Sequence, residues 1–408
     1  MTTGLLHTPE GVRDVYNGEC ARKLAVQGRI SDVFHLYGYE DIETPTFEYF
    51  DIFNKERGSV TSQEMFKFFD RDNNTLVLRP DMTPAIARCV TKYFYEEIMP
   101  VRLCYRERTF INNSNYQGRL KEVTQTGVEL IGDDTDAADA EVIALVIESL
   151  KAAGLTEFQV ELGQVEFFNG LTEEAGMDGE TRKTLQELIE KKNYFGVEEL
   201  ISKRQLPDSL RALFLKLPEL FGTLDQLSEI KNMAGNLRSR KAIERLEKIR
   251  AILESYGLAD YVSYDLGMLS KYQYYTGIIF KAYTYGTGEY IVNGGRYDKL
   301  LLQFGKDVPA VGFAIVVDQL MLAMARQKAD VDVNHAKNMI LYDPTSQDRA
   351  LKLALELRRQ QKPTELVQKS SGIGIEEYEA YIKRRGFKKG LWVKSDGTIV
   401  SLDGGRNL

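Results

Sequence analysis

Asp81, Thr83, Gln125, Glu129, Tyr274 and Tyr275 are side chains whose types and spacing suit the recognition of a small ligand bearing an ammonium group. Asp81 follows Arg79 and Pro80 at the predicted end of a strand, and Thr83 opens a predicted helix. Two chemistries fit this pair. One is a plain helix cap, in which the carboxylate accepts backbone N–H bonds, and the other is a carboxylate and a hydroxyl that face a pocket and accept from an ammonium. Gln125 and Glu129 lie four residues apart on a predicted strand and so share a face. Glu129 stands between Val128 and Leu130, and a carboxylate there is costly to bury unless a donor or a cation meets it; the alternative is a solvent-facing pleat. Tyr274 and Tyr275 suit either a ligand or ordinary sheet packing. The GGRYD run at 294–298 joins a backbone that a ligand can approach closely to an Arg and an Asp, although two glycines also simply make a turn. His7, His35 and His335 lie far apart, and Cys20, Cys89 and Cys104 are scattered, so neither a structural zinc nor Cys/His nucleophilic catalysis is expected.

These residues need a scaffold, and the apolar pattern supplies one. Residues 19–37 have helical spacing and stop at Gly38. An extended segment with Pro45 follows, then a hairpin around an Asp-Asn-Asn turn, and a helix at 83–95. The strands PVRLCYRERTF and LKEVTQTGVELIG enclose a polar connection at 112–118. An apolar helix at 136–153 leads to the strand FQVELGQ, and residues 170–257 turn to long helical stretches that read as an insertion. Strand-type sequence returns at YVSYDLGM, YYTGIIFKAYTYG and EYIVNGG, and residues 310–324 give a strand and a helix. After a polar linker, residues 338–408 alternate strand and helix and close with a hairpin on an Asp-Gly turn, as a small α/β domain. The helix-and-hairpin alternation predicts an α+β domain over residues 1–330, built on an antiparallel sheet, and not a doubly wound one.

The 408 residues exceed what one compact core organises, and 28% charged with 10% aromatic residues excludes a disordered chain. The longest uncharged apolar run, at 310–317, falls far short of the ~20 residues that span a bilayer. The N-terminus lacks a secretory pattern, so a cytoplasmic location without disulfides is expected. With 53 basic against 60 acidic side chains, a net charge of −7 argues against a protein that coats phosphate backbones.

Order along the chain makes the weak signals specific. TPEGVRD, GYEDIETPTFE, LRPDMT, YRER leading through GRLKEVTQTGVELIG, YYTG, GGRYD and AVGFAI together resemble the histidyl-tRNA synthetase group of class II aminoacyl-tRNA synthetases, over about residues 8–324. The resemblance implies an antiparallel sheet flanked by helices, dimerisation around Pro45 and a histidine pocket. In that pocket Asp81 (a Glu in the synthetases), Thr83 and Gln125 hold the α-amino group, and Glu129 and Tyr275, with Tyr274 alongside, hold the imidazole.

The departures point further. Where the synthetases read like RGLDYY, this chain reads SKYQYY, with Ser270 at the Arg position and Gln273 at the Asp. Where their third motif ends GLER, it reads VVDQ, with Gln319 at the Arg that clamps ATP phosphates. A neutral amide has neither a guanidinium's charge nor its fork of donors, and losing one such group costs about 3–4 kcal/mol of transition-state stabilisation. Arg106, Arg108 and Arg119 remain in the second motif and belong either to a residual nucleotide site or, for Arg106, to the histidine carboxylate. A histidine pocket without catalytic arginines resembles the regulatory subunit of ATP phosphoribosyltransferase, a synthetase paralogue of histidine biosynthesis. That implies no catalysis by this chain, no cofactor or metal, and a homodimer within a hetero-oligomer that includes the short catalytic subunit. It also implies feedback inhibition by histidine, no tRNA partner, and a C-terminal segment shortened from an anticodon-binding domain. A divergent active synthetase and a free-standing histidine sensor stay open at this point.

Overall fold

The computed structural model describes residues 6–54, 60–98, 100–113, 119–222, 224–269, 274–329, 331, 333 and 337–402. It divides into two compact units, Met1–Val331 and Asp332–Leu408.

In the first unit, α1 (Asn17–Leu36) buries Val26, Ile30 and Phe34, and Gly38 turns the chain with a φ of 80° that favours glycine. The two-residue β1 (Glu40–Asp41) follows. Then β2 (Phe47–Tyr49), β3 (Lys67–Phe69) and β4 (Thr75–Leu78) form a small antiparallel sheet in the order β2-β4-β3. The predicted Asp-Asn-Asn turn joins β3 to β4. Asp70 Oδ1 accepts the N–H groups of Asp72 and Asn74, and Asn73 takes a positive φ. After α2 (Thr83–Tyr93), the long strands β5 (Val101–Phe110) and β6 (Glu122–Ile131) pair over their whole length. α3 (Asp136–Ala153) is capped by Thr135, whose hydroxyl accepts the Ala138 N–H at 3.2 Å, and ends at Gly154 with φ 102°. Its Val142, Ile143, Leu145, Val146, Ile147 and Leu150 are fully buried, each contributing about 1.5–3 kcal/mol. α3 packs on α1 and on the sheet.

Beyond β7 (Phe158–Gln164) come α4 (Val165–Glu174), α5 (Gly179–Glu190), α6 (Tyr194–Ser202), α7 (Asp208–Lys216), the short β8 (Phe221–Gly222), α8 (Leu224–Met233) and α9 (Leu237–Ser255). The strands then resume with β9 (Val262–Asp265), β10 (Ile278–Thr284), β11 (Val292–Arg296) and β12 (Ala310–Val316), followed by α10 (Val317–Arg326). Among the described residues the main sheet has nine strands in the order β1-β5-β6-β12-β11-β10-β7-β9-β8. It is antiparallel except at β1–β5 and β7–β9, which pair in parallel. Residues 274–277, expected to begin a strand, are not part of it, and β10 starts at Ile278.

Arg79 ties the segments that carry the pocket residues. It is 1% exposed; its Nε donates to Arg108 O at 2.8 Å, one terminal nitrogen donates to Thr44 O at 2.6 Å, and the other pairs with Glu107. Arg79→Met leaves Glu107 and two carbonyls without their donor. It is expected to lower stability by about 3–5 kcal/mol in urea titration.

In the second unit, β13 (Asn338–Tyr342), α11 (Gln347–Arg359), β14 (Thr364–Gln368), α12 (Ile375–Arg385), β15 (Lys389–Val393) and β16 (Ile399–Ser401) form a four-stranded sheet with two helices. β13 is parallel to β14 and β15, and β16 closes an antiparallel hairpin through Asp396 and Gly397, the latter with φ 81°. Among the described residues no helix is long and apolar enough to cross a membrane.

Candidate functional site

The pleat of β6 sends Gln125, Gly127 and Glu129 to one face. Register brings neighbours onto that face. Tyr105 of β5 lies opposite Gly127, Gly312 of β12 opposite Glu129, and Gly295 of β11 opposite Gly312. The three glycines clear the centre of the sheet, and other side chains use the cleared space. A Cβ at 127 would stand 2.7 Å from the Tyr105 hydroxyl, one at 295 would stand 2.8 Å from the Tyr275 ring, and one at 312 would stand 1.9 Å from Glu129 Oε2. Above this floor opens a cavity of about 860 Å³, lined among others by Asp81, Thr83, Tyr105, Gln125, Tyr274, Tyr275 and Tyr297.

Glu129 lies at the floor, 1% exposed. The Thr83 hydroxyl donates to its Oε1 at 2.8 Å and the Tyr297 hydroxyl donates to its Oε2. Its contact with the cavity therefore runs through Thr83, Tyr297 and Gly312, all of which line the wall. Burial pushes the Glu129 carboxyl up to about 8; the two hydroxyls oppose the shift, and the charge of Asp81 adds to it. Asp81 combines a contact at the start of a helix with a place in the cavity wall. Its Oδ1 accepts the Thr83 N–H at 3.3 Å at the start of α2, its Oδ2 accepts from the Tyr274 hydroxyl at 3.1 Å, and the side chain lines the cavity. Tyr274 and Tyr275 meet edge to face with ring centres 4.9 Å apart. Burial, with the nearby carboxylates, holds the Tyr105, Tyr275 and Tyr297 phenols well above their ordinary pKa, so all three are neutral hydrogen-bonding groups.

Gln125 is the most informative wall residue. Its Oε1 is buried and, among the described residues, has no hydrogen-bond partner, which costs about 1–3 kcal/mol until a donor arrives.

The fold thus brings Asp81, Thr83, Gln125, Tyr274 and Tyr275 to one cavity, with Glu129 beneath it, but it leaves Arg106 out. Successive residues of β5 point to opposite faces, so Tyr105 enters the cavity while Arg106 lines a second space of about 840 Å³ with Lys23, Gln27 and Arg108. Arg106 is therefore not among the residues of this pocket. Arg108 lies on the same side as Arg106 and pairs with Glu122 at 2.6 Å, whereas Arg119 lines the first cavity and pairs with Glu289 at 2.5 Å. Gln319 also lines the first cavity, and Ser270 and Gln273 lie outside the described residues. Tyr105 and Tyr297 were not expected in the site. For Tyr105 the signal was the glycine that faces it across the register; Tyr297 sits inside the GGRYD run, where the Gly, Arg and Asp drew attention first. The fold also gathers ligand-type groups that sequence spacing kept apart. His35, Asp41 and Cys104 each offer an atom within 4.8 Å of the others, and burial pushes the Cys104 thiol up to about 12.

Comparison with known proteins agrees with this architecture. Residues 11–320 match the family model described as histidyl-tRNA synthetase. The ATP phosphoribosyltransferase regulatory subunit of Ruminiclostridium cellulolyticum is 41% identical over 409 residues, covering 100% of this chain and 97% of the relative. That of Acetivibrio thermocellus is 41% identical over 360 residues, covering 88% and 86%. A solved structure from Bacillus halodurans, described as an ATP phosphoribosyltransferase regulatory subunit/histidyl-tRNA synthetase, superposes with a TM-score of 0.86 at 30% identity, covering 96% of this chain and 98% of that one. With a synthetase-type sheet across its first unit and close relatives along its length, the chain belongs to the family of ATP phosphoribosyltransferase regulatory subunits.

Proposed function

We propose that the cavity binds histidine, and that the chain acts without catalysis of its own as the regulatory subunit of an ATP phosphoribosyltransferase. In this reading it activates a short catalytic subunit and conveys feedback inhibition by histidine to it. The observation that carries the reading is Gln125 Oε1, buried and without a partner among the described residues, in a cavity that Asp81 and Thr83 also line. An ammonium has three donors, and these residues offer three acceptors. When Glu129 is ionised, the Thr83 and Tyr297 hydroxyls direct their single hydrogens at it, so their remaining lone pairs can only accept: Thr83 from the ammonium, Tyr297 from an imidazole N–H. Glu129 then acts by orienting the groups that touch the ligand. Tyr275 supplies a further hydroxyl and ring to the imidazole side.

Gln319 in the cavity wall supports the absence of adenylate chemistry, since no fork of charged donors stands at that position to hold a transferring phosphate. In this reading the chain dimerises around Pro45, and the exposure of Phe47 and Tyr49, 52% and 56%, supports it. The reading places the assembly in the cytoplasm and gives it no tRNA partner.

The test is reconstitution. Addition of this chain to an inactive short catalytic subunit is expected to restore phosphoribosyl transfer, and histidine is expected to suppress it. The purified chain alone is expected to give background ATP–pyrophosphate exchange. Histidine-dependent exchange by the chain alone would favour an active synthetase and overturn the reading. Asp81→Asn, which halves the acceptor capacity and removes the charge facing the ammonium, is expected to weaken histidine binding at least 10-fold by calorimetry.

A further inference from the structure

Adjacent residues at the end of a strand face opposite sides of a sheet, and Arg296 and Tyr297 make that alternation a connection through it. Tyr297 reaches forward to Glu129 under the cavity. Arg296, 3% exposed, reaches back. Its Nε and one terminal nitrogen meet Asp139 Oδ1 at 2.9 and 2.7 Å, and the other terminal nitrogen meets Asp298 Oδ1 at 3.1 Å and Asp133 O at 3.0 Å. Asp139 sits fully buried in the first turn of α3 and gives its second oxygen to Arg245 of α9 at 2.6 Å. Arg245 in turn donates to the carbonyls of Asp134 and Thr135 at 2.9 and 3.1 Å. Glycine packing tightens the same block from the front, because Gly277 allows the Arg296 stem to pass and Thr276 donates its N–H to Arg296 O at 2.8 Å.

A buried carboxylate shared by two arginines from distant segments contributes little net stability over an apolar replacement, but it accepts very few geometries. We propose that the run Arg245, Asp139, Arg296, Tyr297, Glu129 couples the helical segment between β7 and β9 to the cavity. Arg296 and Arg245 act as positioning residues, and occupation of the cavity changes how firmly α9 is held on α3. The occupant is taken to be histidine, as proposed above, whereas the coupling itself can be read without any ligand.

Hydrogen exchange on the full chain tests it. Tyr297→Phe removes only the hydroxyl that contacts Glu129. It is expected to speed exchange severalfold around Arg245 in α9 and in the first turn of α3, while α10 and the second unit are unchanged; a purely local packing role would leave α9 alone. In the ligand arm, saturating histidine is expected to slow exchange in α9. Arg245→Met, remote from the cavity, is expected to weaken histidine binding about 2- to 30-fold, with partial recovery in Arg245→Lys. An α9 indifferent to Tyr297→Phe overturns the coupling whatever histidine does, as does an Arg245→Met chain that binds histidine like wild type. A wild-type chain that takes up no histidine, yet whose α9 responds to Tyr297→Phe, leaves the coupling standing and overturns the histidine assignment.

Discussion

Glu129→Gln is expected to weaken histidine binding about 30- to 150-fold, the effect of losing 2–3 kcal/mol of charge-assisted hydrogen bonding, and to release the reconstituted transferase from feedback at histidine levels that silence the wild type. Assembly with the catalytic subunit should persist, because the side chain is 1% exposed and the amide keeps its volume. The same variant should respond to pH in the opposite sense from a simple loss of function. In the wild type the carboxyl is raised from its ordinary 4.5 to about 8, so the folded chain holds a proton that the unfolded chain has released. Stability is therefore full below about pH 4.5 and declines as pH rises through 8, by about 5 kcal/mol in total from this group. Gln carries no such penalty. The wild-type minus variant difference in urea midpoint should move against the wild type between pH 5 and 8, while histidine affinity of the wild type rises from pH 7 to 8 as the carboxylate becomes available. A pH-independent difference in midpoint, or unchanged inhibition by histidine, would remove Glu129 from this role.

The second large effect is expected at Gly312. A methyl group there has to occupy space 1.9 Å from Glu129 Oε2 and 2.5 Å from the Val128 carbonyl, and the latter belongs to the paired backbone of β6 and cannot swing away. Gly312→Ala is expected to lower stability by about 3 kcal/mol, the upper end of the ordinary cost of overpacking, and to abolish histidine binding by displacing Glu129 from Thr83 and Tyr297. Gly288, which also lines the cavity, has open space around it, and Gly288→Ala should stay within about 0.5 kcal/mol of wild type. Denaturant titration and calorimetry on the two variants separate the roles. Equal behaviour of the two alanines would show that the floor is not close-packed.

Much of this site is legible in the sequence, because its members lie on elements with strong periodicity. The four-residue spacing of Gln125 and Glu129 fixes a shared face once a strand is recognised, and the hydrophobic run of α3 leaves little doubt about a buried helix. What escaped depends on register, which local sequence does not encode. Whether Tyr105 or Arg106 enters the cavity is decided by the phase of β5 against β6, and that phase is fixed by ten residue pairs formed across a long polar connection that does not itself set the register. The charge of Arg106 made it the more attractive candidate, and the pleat put it on the other side. The parallel pairing of the two-residue β1 with β5 and the addition of β8 to the sheet edge were equally unreadable, since strands that short carry no alternation to detect. Tyr274 and Tyr275 carried the aromatic signature of a strand but are held by contacts with Asp81 and Gly295 outside the ladder.

The glycine floor has one more consequence, for how this pocket can change over generations. A side chain can be traded for a smaller one until glycine is reached, and at positions 127, 295 and 312 that limit is already met. Mutation at these sites can only add atoms, so a single step closes the depth of the pocket and no step deepens it. Any drift towards a different occupant has to travel through the walls, at Asp81, Tyr274 or Tyr275, while the depth below them stays inherited.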